Sequence, residues 1–189
     1  MHDLEIRGAG NLLGAEQHGH VTAIGFELYA QLLEQAVNEQ RGLAPKQAAA
    51  EIVVDLALST AIPDEYVGSR ARKLETYRRV ADLTALDDLA AFRDELRERY
   101  GPPPAPLRNL LYGVEVKIRA ARARAIEVRS RGAELRVTLG TDLDPARRAA
   151  LLRAFPKAQA GPRQVRLPVL AVRGDWRDAL TRLLDTLVA

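Results

Sequence analysis

Ala125–Leu139 reads AIEVRSRGAELRVTL. Ile126 and Val128 alternate with Glu127 and Arg129; Leu135, Val137 and Leu139 alternate with Glu134, Arg136 and Thr138. A period of two sends successive side chains to opposite faces, so each run is a strand with one apolar and one polar face. Gly132 stands between the runs, where a tight turn needs a residue that accepts positive φ. The stretch is therefore a β-hairpin, and the second half of the chain contains a sheet.

Upstream of the hairpin the period is helical. Leu107, Leu110, Leu111, Val114, Ile118 and Ala121 recur at that spacing, starting near Pro106, a favourable first-turn residue. Pro102–Pro104 forbid helix just before it, and Gly101 is a natural stop for the run that precedes them. That run begins at Thr84 as N-cap, with Asp87 completing a capping-box variant, and carries Leu89, Phe92, Leu96 and Tyr100 as its apolar stripe. An earlier helix is predicted from about Asp64 to Leu83, with Ala71, Leu74, Tyr77 and Ala81 inward. Glu51–Leu58 (EIVVDLAL) is short and β-branched and reads as a strand.

Downstream, Asp144-Pro145 opens a short helix through Leu151, Leu152 and Phe155. Gln164–Val172 is a strand or bent strand pair, broken or placed at an edge by Pro168. Asp175 caps a last helix bearing Trp176, Leu180, Leu183, Leu184 and Leu187. The order of elements predicts an α+β fold: helices packed on a small antiparallel sheet, preceded by a glycine-rich loop and one amphipathic helix.

The chain has 189 residues, 47% apolar and 28% charged, enough for one or two globular domains. It has no cysteine, which removes disulfides, thiolate zinc sites and cysteine nucleophiles and fits a cytoplasmic location. No apolar run approaches the roughly 18–20 residues of a membrane span, and no cleavable leader is expected. The net charge of +3 is unevenly placed. Residues 1–60 hold 3 Lys/Arg against 8 Asp/Glu, a balance of −5, and residues 61–189 hold 25 against 17, a balance of +8.

The first forty residues stand apart. Gly8, Gly10, Gly14, Gly19 and Gly25 surround Arg7 and Gln17. Tyr29, Leu32, Leu33, Ala36 and Val37 then recur at helical spacing. Glycines at this density serve positive φ or close approach to another surface, as in a moving part docked on a larger machine. The string GAGNLLG is not a dinucleotide fingerprint, follows no apolar strand and lacks the ending of a phosphate loop. His18 and His20 form H-x-H without further converging ligands. Ser59, Ser69 and Ser130 sit where turn or cap residues would. Asp64/Glu65 and Asp87/Asp88 lie near predicted helix starts, where the helix dipole favours them. No catalytic residue and no metal site is assigned.

Two charged surfaces remain. On the helix ending at Tyr100, Asp87, Asp94 and Glu98 fall within about 40° of one another, with Glu95 on the flank. Such a stripe is either a solvated face or a docking surface for a basic partner. Between Lys117 and Arg136, Lys117, Arg119, Arg122, Arg124, Arg129, Arg131 and Arg136 outnumber Glu127 and Glu134. That cluster is either ordinary arginine-rich surface or a nucleic-acid-binding patch, with Lys117, Arg119 and Arg122 as candidate phosphate contacts.

DLEIRGAGNLLGAEQHGHVTAIGFELYAQLLEQAV, with IPDEYV, RKLETYRRVADL and DELRERYGPPPAPLRNLL, resembles the bacterial transcription-repair coupling factor family. The likeness covers about residues 1–125; beyond that only the pattern of elements agrees. The family's members are ATP-dependent DNA translocases that displace stalled RNA polymerase and recruit nucleotide-excision repair. The resemblance implies that this chain is a C-terminal piece, with residues 1–45 ending the second motor lobe and residues 46–189 forming a regulatory α+β domain. Arg7, Gly8, Gly10, Gly14 and Gln17 match the family's translocation motif, which couples ATP-driven lobe closure to movement on double-stranded DNA. Glu95 and Glu98 match its acidic regulatory interface. There the domain packs on the parent protein's N-terminal repair-recruiting module and masks the surface for the excision-repair damage-recognition protein. ATP and magnesium belong to the parent protein and no cofactor to this piece. The other reading is a nucleic-acid-binding α+β module acting through residues 117–136.

Overall fold

The computed structural model describes residues 52–172 and 174–188. The glycine-rich loop, the helix expected after Thr22 and the candidate residues Arg7, Gly8, Gly10, Gly14 and Gln17 lie outside the described residues.

Among the described residues the chain runs β1 (Val53–Asp55), α1 (Asp64–Val67), α2 (Arg70–Asp82), α3 (Leu86–Tyr100), α4 (Ala105–Arg122), β2 (Ala125–Arg131) and β3 (Glu134–Leu139). It continues through α5 (Pro145–Ala154), β4 (Gln159–Ala160), β5 (Gln164–Pro168), a single 3-10 turn (Val169–Ala171) and α6 (Trp176–Val188). The α+β class expected from the pattern holds. None of these helices is long and apolar enough to cross a membrane.

The five strands lie in the order β1-β2-β3-β5-β4. β2, β3, β5 and β4 pair antiparallel, as expected. β1 departs from that expectation and runs parallel to β2, with Val54 opposite Val128. The connection allows it: four helices separate the two strands, long enough for the crossover that a parallel pair requires.

Local chemistry explains the element ends. The single helix expected over 64–83 is two, because Gly68 takes a φ of 75° at the end of α1 and Ser69 starts α2 by accepting from the Arg72 N–H. The restart changes the phase of the inward face. Thr76 and Val80 are buried, whereas Ala71 and Ala81 are exposed and Leu74 and Tyr77 half-buried. α3 begins one turn position later than Thr84 implies, after Ala85, and has no side-chain cap. Asp87 and Asp88 occupy its first turn, where they complement the dipole. Gly101, Asp144 and Asp175 act as their residue types predict: Gly101 ends α3 at a φ of 81°, and the two aspartates accept from N–H groups of the helices they precede.

α4 organises the core. Tyr112, Val116 and Ala120 face the sheet and pack with Val128, Leu135, Val137, Val165 and Leu167 and with Leu180, Leu183 and Leu184 of α6. Leu107, Leu110, Leu111 and Ile118 face the other way, onto Val67, Val80, Leu89, Phe92 and Leu96 of α1–α3. The domain is therefore three layers deep: sheet, then α4 with α5 and α6, then α1–α3. Ile126, expected inward, is 47% exposed. The pairing shifts register between Ala125 and Glu127, and this bulge turns Ile126 out of the strand's apolar face.

Candidate docking interface

α3 presents its apolar side to α4 and leaves Asp87, Asp94 and Glu98 exposed. The helical period that buries Leu89, Phe92 and Leu96 is what gathers these three acids opposite them. The three are not equivalent to Glu95 on the flank. Arg79 of α2 donates from Nη1 to Glu95 Oε1 at 2.6 Å and from Nη2 to Oε2 at 2.5 Å. Arg99 adds a looser ion pair at 3.7 Å. The hydrogen bonds from Arg79, helped by its charge and that of Arg99, hold the Glu95 carboxyl below the ordinary glutamate range against a smaller opposing effect of desolvation. Asp94 is engaged by Arg97 one turn on. Glu98 and Asp87 have no ion pair among the described residues.

The two candidate acids thus differ in what they can do. Glu98 is an exposed carboxylate without an ion pair among the described residues, whereas Glu95 already holds a cation. Sequence reasoning placed Glu95 beside the stripe but missed Arg79, whose partner is sixteen residues away on another helix.

The basic cluster of residues 117–136 is split by the fold. Arg119 is drawn into a network across α4, α3 and α6: it donates to Glu115 at 3.2 Å and to Asp185 at 2.5 Å, while Arg93 donates to Glu115 at 2.8 Å. A guanidinium shared by two carboxylates and only 19% exposed is poorly placed to take a phosphate. Lys117 and Arg122 are exposed on α4. Arg129 and Arg136 lie on the sheet, on the side away from α4. The three residues proposed together as phosphate contacts are not one surface.

No catalytic grouping appears among the described residues. No three His, Cys, Asp or Glu side chains gather there as metal ligands. An open cleft of about 370 Å³ beside α5 and α6 is lined by Phe155, Pro156, Lys157, Leu167, Val172 and Arg182, without carboxylate, hydroxyl or imidazole.

Comparison with known proteins decides the family. The family model described as the TRCF domain matches residues 56–148, the span from the end of β1 into α5. A transcription-repair-coupling factor of Staphylococcus haemolyticus (strain JCSC1435) is 39% identical over 142 residues, 75% of this chain and 12% of that protein. The chain belongs to the transcription-repair-coupling factor family. A second such factor, from Staphylococcus aureus (strain USA300), is 40% identical over 133 residues, covering 70% of this chain and 11% of its own length. The chain spans about a tenth of the curated coupling factors it matches. A crystal structure of the C-terminal domain of a transcription-repair coupling factor superposes with a TM-score of 0.60 at 16% identity, covering 74% of this chain and 94% of that one. At that identity the likeness speaks for the fold, which is the coupling-factor C-terminal α+β fold.

Proposed function

We propose that this chain supplies the regulatory docking domain of an ATP-dependent DNA translocase that couples transcription to nucleotide-excision repair. In that reading the whole protein binds double-stranded DNA, uses ATP with magnesium and displaces stalled RNA polymerase from the DNA. The domain packs on the N-terminal module and masks the surface that recruits the damage-recognition protein. Arg7, Gly8, Gly10, Gly14 and Gln17 serve translocation coupling: a guanidinium offers several donors to phosphate or carboxylate, an amide both donates and accepts, and the glycines let the backbone turn.

The observation that carries the docking role is the state of Glu98. It is exposed and without an ion-pair partner among the described residues, on a helix whose other face is fixed in the core. Glu95 beside it is held by Arg79, so Glu98 makes the first contact with arginines of the module. A closed state held by a few charge-assisted contacts shifts readily when DNA or polymerase engages the motor, because a ligand favouring the open state need supply only their difference.

The test is affinity of the full-length protein for the damage-recognition protein, with Glu98→Arg as the variant. Release of the mask predicts a several-fold tighter complex. Unchanged affinity, with the isolated module still binding the damage-recognition protein, defeats the masking role of this surface.

A further inference from the structure

The sheet face that no described helix covers carries a row that no local reading of the sequence contains. Strand register sets Asp55, Arg129, Arg136, Arg166 and Gln159 side by side across all five strands. The flanking rows on the same face are Val53, Glu127, Thr138 and Gln164 on one side and Arg131, Glu134 and Pro168 on the other. The alternating row, Val54, Val128, Val137, Val165 and Ala160, points to the opposite face and into the core under α4–α6.

Three arginines on adjacent strands are an arrangement that sheets avoid, since like charges directly opposite are destabilising. Asp55 stands beside Arg129 in the row, and the local partners answer the rest only in part. Arg136 donates to Glu134 at 3.0 Å. Arg166 donates to Gln164, a neutral amide, at 2.8 Å. Arg129 Nε lies 2.8 Å from Glu127 Oε1, close enough for an ion pair, yet it is shielded from water and makes no hydrogen bond. Each guanidinium offers five N–H donors, so all three keep donors in hand.

We propose that this arginine row is a contact for the phosphate backbone of nucleic acid, independent of base sequence. At a strand spacing of about 4.8 Å the row spans about 10 Å, long enough for its guanidiniums to reach successive phosphates of one strand. Arginine pairs with phosphate in bidentate geometry, and a phosphate seated between Arg136 and Arg166 removes the repulsion between them. Among the described residues these rows carry no aromatic side chain, so bases have nothing there to stack on and recognition stops at the backbone. An acidic protein partner fits less well, because protein interfaces hold through buried apolar or aromatic anchors and these rows offer only Val53 and Pro168.

The experiment is fluorescence anisotropy of the 189-residue chain with a labelled duplex of about 20 base pairs, titrated between 50 and 200 mM salt. Three phosphates neutralised give a slope of log affinity against log salt of about −3. Arg136→Gln and Arg166→Gln each reduce the slope by about 0.9, equally for unrelated sequences, while Arg122→Gln on α4 leaves it unchanged. Circular dichroism checks that the variants keep their fold. Absence of duplex binding at the lowest salt overturns the proposal, as does a slope that the double variant leaves intact. Tighter binding of a glutamate-rich peptide than of duplex of equal charge also overturns it and assigns the row to an acidic protein.

Discussion

Arg79 lies between two residues of α3: its guanidinium carbon sits 4.6 Å from the Phe92 ring centroid while both its terminal nitrogens donate to Glu95. One cation thus fastens α2 to α3 by an apolar contact and a forked ionic one, a combination that lysine would not reproduce. Both side chains are partly exposed, so solvent screening limits the pair to about 0.5–1 kcal/mol. Glu95→Gln is expected to lower stability by that amount at pH 7. Because the folded-state pKa of Glu95 is depressed, its contribution is complete above the ordinary glutamate value of 4.5 and is lost as the pH falls below that value. Urea unfolding at pH 7 and pH 3 is the check: the gap between wild type and variant closes at the acid end.

The end of α3 rests on backbone geometry. Gly101 has φ 81° and ψ −171°, a region nearly closed to other residues, and an added Cβ meets nothing within 4 Å. Its carbonyl accepts from the Tyr66 hydroxyl at 2.8 Å, and the Leu96 carbonyl lies 3.1 Å from the same oxygen. Gly101→Ala therefore costs conformational strain alone, about 1–3 kcal/mol. Tyr66→Phe costs about 1 kcal/mol through the lost hydrogen bond. Denaturant midpoints with unchanged slopes test both.

Trp176, the chain's one tryptophan, packs against the sheet-side core, with its ring edge-on to Tyr112 at 6.0 Å. Leu110 lies in the other core, 2% exposed. Leu110→Ala is expected to cost about 2–5 kcal/mol. If α4 makes the two cores one cooperative unit, Trp176 fluorescence and far-ultraviolet circular dichroism shift by the same amount. Separate midpoints would show that the helical layer unfolds alone.

Arg119 separates a structural role from a nucleic-acid one. Arg119→Gln takes the cation from Asp185 and leaves Glu115 with Arg93 alone, and is expected to cost about 1–2 kcal/mol. Duplex affinity should not change. Lost affinity at full stability would restore α4 as a phosphate-binding helix.

The legible parts of this fold are those whose causes are local. The 125–139 hairpin, the stop at Gly101 and the caps at Asp144 and Asp175 each depend on a few neighbouring residues. Gly68 was hidden because a glycine inside a helical period does not announce whether the helix bends or restarts. The bulge at Ala125/Glu127 left Ile126 looking like a core residue, since the shift depends on the partner strand. Glu95 and Glu98 were legible as an acidic pair, but their different states depend on Arg79. Arg166 could not be grouped with Arg129 and Arg136, because only strand register aligns residues so far apart in the chain.

α4 has neighbours on both sides, and this restricts how its length can change over generations. A single residue inserted between Leu107 and Ala120 would rotate everything after it by about 100°. Residues now against the sheet would swing away from it, and Leu110 would no longer keep phase with Val116. The segments joining β3 to α5 and β4 to β5 answer to fewer partners, so length variation among relatives should collect there, while α4 keeps its register residue for residue.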